Sequence, residues 1–181
     1  PLEQIDFFRG TQRLLRIDCF ANAGAMSRRL RVAWKGASAP GNWERARMRW
    51  DGMLRVAGTR IASTQGFAFD SPDEGIVEHH DDRIRWRSVT AGDWDGVVVD
   101  LESPAAAELW FVTAPMTLRT RPGAIGPAGR RFTAHDPERC VEMRWLPERA
   151  PPSAFAGTFV DPAPAIARTR IALSVRDEFR H

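Results

Sequence analysis

Apolar and polar residues alternate with a period of two along much of this chain. In Arg29-Leu30-Arg31-Val32-Ala33-Trp34, Leu30, Val32 and Trp34 share one face while Arg29 and Arg31 share the other. Arg83-Ile84-Arg85-Trp86-Arg87 and Val141-Glu142-Met143-Arg144-Trp145 repeat the arrangement. Side chains of a strand point alternately to its two faces, so these segments predict half-buried strands with one wetted side. Gly96-Val97-Val98-Val99-Asp100-Leu101 and Leu109-Trp110-Phe111-Val112 are apolar at consecutive positions and predict strands covered on both faces. Weaker strand patterns run over 13–19, 47–56, 60–69, 75–80, 116–120, 130–133 and 168–175.

Turn chemistry punctuates these runs. Asp51-Gly52, Ala57-Gly58-Thr59, Asp81-Asp82 and Asp95-Gly96 carry hairpin-type signals, and Asp70 to Asp73 and Arg121-Pro122-Gly123 predict wider turns. No segment shows a helical stripe over three turns. Residues 147–165 hold five prolines and much alanine, which predicts an extended connection. Many short strands with frequent turns imply an all-β fold, an antiparallel β-sandwich of two sheets or sub-domains. The expected organisation is a set of edge strands in residues 1–40, the remnant of a preceding β sub-domain, and a main sandwich over 41–181. Its expected core is Leu30, Val32, Trp34, Trp50, Ile84, Trp86, Val97, Val99, Leu109, Phe111, Met143 and Trp145. The chain has no initiator methionine and opens directly into strand-like sequence, which predicts a piece of a longer protein with a sheet edge at each terminus.

Composition narrows the function classes. The 181 residues are 43% hydrophobic, enough for a real core, and the formal net charge is +3. Acidic residues are interspersed with the arginines, which argues against a nucleic-acid or anionic-membrane partner. No apolar run approaches the roughly 20 residues that span a bilayer, so the expectation is a soluble domain. Cys19 and Cys140 are too far apart in sequence for a metal knuckle and predict two buried thiols, a long-range disulfide being the alternative.

The polar clusters give weak site candidates. Glu78-His79-His80-Asp81-Asp82 offers imidazole and carboxylate ligands, and Glu78, His80 and Asp82 share a face of a strand. The same segment lies between two strand patterns, where a polar hairpin turn is expected anyway. Asp93-Trp94-Asp95-Gly96 has the opening spacing of a calcium loop, but Pro104 stands where the bidentate acid belongs, so a turn is expected. His135, Asp136 and Glu138 adjoin Pro137, and Ser63, Ser88 and Ser153 lie in no nucleophile-elbow motif. Trp43, Trp94 and Trp110 lie in loops or on second strand faces, positions from which rings stack on ligands such as sugars, though packing is the simpler role. Arg29, Arg31, Arg47, Arg49, Arg83, Arg85, Arg87 and Arg144 form an outward ladder, expected to be a solvated, cross-strand-paired face that in part docks a neighbouring domain. No catalytic constellation and no cofactor motif are predicted.

Several stretches together carry a resemblance: Pro1 to Thr11, Arg29 to Ala37, Trp50-Asp51-Gly52, Phe67 to Asp73 and Trp86 to Val97. They resemble the C-terminal β-rich region of uncharacterised bacterial proteins whose N-terminal domain is similar to PHP-type (polymerase and histidinol phosphatase) metal-dependent phosphoesterases. The resemblance covers about residues 1–120 and rests on strand and turn residues. It implies a non-catalytic accessory domain with an intramolecular partner, in a full-length metal-dependent hydrolase. The metal-binding histidines belong to the N-terminal domain, so no catalytic residue is carried over. The alternative is a carbohydrate- or ligand-binding module using the tryptophans.

Overall fold

The computed structural model describes residues 2–18, 27–38, 46–134, 136, 138–146 and 171–177. In chain order the first strands are β1 (Leu2–Arg9), β2 (Gln12–Asp18), β3 (Arg29–Lys35), β4 (Met48–Arg49) and β5 (Gly52–Ala57). Next come β6 (Ile61–Phe67), β7 (Gly75–His80), β8 (Arg83–Arg87), β9 (Val89–Thr90) and β10 (Trp94–Leu101). The last are β11 (Glu108–Thr113), β12 (Thr117–Thr120), β13 (Arg130–Thr133), β14 (Cys140–Leu146) and β15 (Ile171–Asp177). All strand pairs are antiparallel, so the fold is all-β as its pattern predicts.

The chain forms two compact units, residues 1–22 with 149–181 and residues 23–148. The division therefore falls at 22/23 and 148/149, while the boundary expected near residue 40 lies inside the second unit. In the first unit β1 is the central strand of a three-stranded sheet, with β15 on one side and β2 on the other. Gly10 takes a positive φ of 59° between β1 and β2, a backbone state that glycine adopts without a Cβ penalty. The Arg16 guanidinium donates to both carboxylate oxygens of Asp6 at 2.8 and 3.1 Å across this hairpin.

The second unit holds two five-stranded sheets, ordered β13-β14-β3-β10-β6 and β12-β11-β5-β8-β7, with a short β4-β9 pair beside them. Trp34 of β3 and Trp86 of β8 stack between the two sheets, ring centroids 4.5 Å apart and planes 19° apart. Phe111 of β11 closes on both rings at 5.8 and 5.4 Å. Every residue of the expected core is buried. Offset aromatic pairs of this kind add roughly 0.5–1.5 kcal/mol beyond the area they bury, so this ring cluster reinforces the apolar core that joins the sheets.

The turn signals fared unevenly. Asp81-Asp82 does join β7 to β8. Asp51-Gly52 and Asp95-Gly96 do not turn the chain: Gly52 opens β5, and Gly96 lies within β10. Their glycines serve close approach instead. A Cβ on Gly52 would stand 2.4 Å from the Val112 carbonyl oxygen, and one on Gly96 would stand 2.3 Å from the Phe67 ring. Gly58 does turn, with φ 76°, but it carries the chain from one sheet to the other, since β5 and β6 do not pair. β10 is buried on both faces as expected, whereas β11 keeps only Leu109, Phe111 and Thr113 buried and leaves Trp110 and Val112 half-buried.

Candidate functional site

Among the described residues, exposed cations concentrate on the outer face of the β12-β11-β5-β8-β7 sheet. Alternation along β8 sends Ile84 and Trp86 into the core and Arg83, Arg85 and Arg87 outward. Register then assembles rows across strands. His80 faces Arg83, Arg83 faces Arg55, Arg55 faces Trp110, and Trp110 faces Arg119. The Trp110 ring is held by the two arginines beside it, with Arg55 Cζ at 5.7 Å and Arg119 Cζ at 5.2 Å from its centroid. Cations over an indole face are attracted by its quadrupole.

Two carboxylates answer this charge. Glu78 receives hydrogen bonds from Arg83 at 3.1 Å and Arg85 at 3.4 Å, and lies 2.7 Å from His80 Nε2. Partial burial pushes the Glu78 carboxyl up, but the hydrogen bonds of Arg83 and His80 outweigh it and hold the group below its ordinary range. Glu108 binds Arg119 at 2.6 Å and lies 3.8 Å from Arg121, and the Arg119 hydrogen bond likewise holds its carboxyl low. Arg55 and Arg87 have no acidic partner among the described residues.

A groove of about 790 Å³ opens beside this row, lined by Asp51, Gly52, Met53, Val77, Glu78, Arg83, Arg85, Trp86, Arg87 and residues 112–114. A bulge in β7 between Ile76 and Glu78 leaves Val77 54% exposed at its rim.

The predicted sites separate as follows. Glu78 and His80 do share a face, and Asp82 sits in the adjoining turn, 3.3 Å from Arg83. Guanidinium groups occupy the space between these acids, and among the described residues no group of three or more ligands is placed to hold a metal ion. His79 points the other way, facing Ile84. Trp94 and Trp110 are half-buried on different sheets, so they form no shared platform. Trp94 has Lys35 Nζ at 5.5 Å and Arg131 Cζ at 5.7 Å from its ring. Trp43, His135 and Cys19 lie outside the described residues. Asp136 caps its own turn by accepting from the Glu138 N–H at 2.9 Å. Cys140 is a buried free thiol whose pKa burial pushes up, which disfavours the reactive thiolate. The arginine ladder is not one surface: Arg31 is 3% exposed, with its Cζ 5.0 Å from the Phe67 ring, while Arg83, Arg85 and Arg87 belong to the other sheet.

One buried polar group stands where the sequence pattern predicts a turn. Asp95 faces the core from β10 opposite Trp34 and is 1% exposed. The Ser88 hydroxyl donates to Asp95 Oδ2 at 2.5 Å and accepts from Trp34 Nε1 at 2.8 Å. Ser88 N–H donates to Asp51 at 3.0 Å. Burial, and then the nearby Glu74, Asp93 and Asp70 carboxylates, push the Asp95 pKa up to about 7, against the hydrogen bond from Ser88. The signal was present: Asp95 shares the inward phase of Val97 and Val99. No family model, no curated protein and no solved structure matches this chain.

Proposed function

We propose that this chain is a non-catalytic accessory β domain of a larger protein, packing on a metal-dependent phosphoesterase-like domain. The observation that carries the reading is the outer face of the β12-β11-β5-β8-β7 sheet. Arg55, Arg83, Arg85, Arg87, Arg119 and Arg121 crowd there, and among the described residues only Glu78, Glu108 and the turn residue Asp82 pair with them. Arginine at this density on one sheet face suits an interface, because its planar fork pairs with carboxylates and stacks on rings. Four of the polar candidates are committed to structure: Ser88 and Asp95 to the core, Asp136 to a turn, Glu78 to its arginines. The resemblance to the β-rich region of PHP-type proteins supplies the class of partner.

Hydrogen exchange compared between the 181-residue chain and the longer natural polypeptide tests this. Added protection on β8, β5 and β11 is expected. Phosphoesterase turnover by the isolated, manganese-loaded chain at rates typical of enzymes would overturn it.

A further inference from the structure

We propose that the groove over β5 and β8 is a docking site for an extended acidic polypeptide segment with carboxylates at alternate positions, supplied by the adjoining domain. The proposal rests on the accessory-domain reading and adds the chemistry of the partner. Arg83, Arg85 and Arg87 project from one face of one strand, so their guanidinium groups repeat about every 7 Å. A second extended chain repeats its own same-side residues at the same interval. Three carboxylates in alternation therefore meet three guanidinium groups without either chain bending. Arg–carboxylate pairs are bidentate and directional, which fixes register as well as attraction.

The charge within the groove is graded. Glu78 already engages Arg83 and Arg85, while Arg87 has no acidic partner among the described residues. The end of the groove at Arg87 is thus the strongest anchor. The floor is apolar: Met53 and Val112 are half-buried and Val77 is exposed at the rim. Apolar residues of a partner segment would cover these side chains.

The same features disfavour a single-stranded nucleic acid. A phosphodiester chain carries a charge at every residue, and the Glu78 and Asp51 carboxylates lining the groove would meet some of them. No open ring is offered for base stacking, since Trp86 is 2% exposed and Trp110 lies outside the lining. A polypeptide can set a neutral residue opposite Glu78.

Fluorescence polarisation tests the site with a fluorescein-labelled peptide of alternating Asp and Val. A Lys-Val peptide and an oligothymidylate serve as comparison probes. The Asp-Val peptide should bind the 181-residue chain saturably and weaken as salt rises. The double variant R85E/R87E should bind it at least about tenfold more weakly, because it removes two attractions and adds two repulsions. The variant R130E, which alters charge on the other sheet, should bind like the parent. R85E sets a carboxylate opposite Glu78 and is expected to lower the unfolding midpoint somewhat; R87A, at an exposed arginine with no acidic partner among the described residues, should keep the parent's midpoint and still bind the peptide more weakly. Absent or non-saturable binding, equal loss in R130E, or tighter binding of the oligonucleotide would each overturn the proposal. Hydrogen exchange in the longer polypeptide separates the two readings. Protection elsewhere but not on β8 and β5 sinks the groove and spares the accessory role, whereas no protection anywhere sinks both.

Discussion

Replacing Asp95 with asparagine should remove a pH dependence from the stability of the second unit. The carboxyl is 1% exposed, and burial together with Glu74, Asp93 and Asp70 raises its pKa from 3.8 to about 7. The unfolded chain releases this proton near the ordinary value, while the folded chain keeps it. Between those pH values the folded state binds more protons than the unfolded state, so stability falls as pH rises. The contribution is full below about pH 4 and is gone above about pH 8. A tenfold difference in proton affinity between the folded and unfolded chain is worth about 1.4 kcal/mol. Linkage with these two pKa values gives a loss of roughly 3 kcal/mol between pH 5 and 8. Asparagine keeps the shape and an oxygen for the Ser88 hydroxyl but cannot ionise, so Asp95→Asn should lose that slope and overtake the parent at high pH. All seven tryptophans lie in residues 23–148, so indole fluorescence during urea unfolding reports this unit specifically. A parent-minus-variant difference that stays constant within about 0.5 kcal/mol from pH 5 to 8 would refute the reasoning.

Three further outcomes follow from the same structure. Glu74→Gln removes the charged neighbour that acts most strongly on Asp95, so the Asp95 midpoint, read by carboxyl-resolved NMR titration, should move down; an unmoved midpoint would show that burial acts alone. Gly52→Ala forces a Cβ to 2.4 Å from the Val112 carbonyl, a backbone atom that cannot rotate away, and should cost about 1–3 kcal/mol in urea unfolding. An unchanged unfolding midpoint would mean that β5 and β11 separate more easily than their register implies. Adding zinc should leave the melting temperature of both the parent and His80→Ala within about 1 °C, because Arg83 and Arg85 already engage Glu78. A zinc-dependent rise in the parent that is lost in the variant would restore His80 as a ligand.

The core was legible because alternation is a strong signal wherever one face is wet. Ile84 and Trp86 had to be on one side of β8, and Met143 and Trp145 on one side of β14, whereas β3 is buried on both faces from Leu30 to Trp34, against the wetted side its alternation predicts. What alternation cannot give is which strand neighbours which. β3 pairs with β10 and β14, partners about 60 and 110 residues downstream, and those long-range choices are made by packing rather than by local preference. The glycine signals failed for a related reason. A glycine after aspartate marks a turn only when it supplies a positive φ; Gly52 and Gly96 instead make room for a carbonyl and a ring that come from distant strands.

The same limit explains the site. Arg83, Arg85 and Arg87 read correctly as one outward row, but Arg29, Arg31 and Arg144 read identically and belong to the other sheet, where Arg31 is buried. Local pattern assigns a side chain to a face and stays silent on what covers that face. Only cross-strand register puts Arg55 and Arg119 on either side of Trp110, and only the bulge at Val77 opens the rim of the groove beside Arg85. An interface built from rows across strands is therefore spread over segments far apart in sequence and leaves no motif in any one of them. The inward phases of Asp95 with Val97 and Val99, and of Thr113 with Leu109 and Phe111, lie within single strands and so are displayed locally.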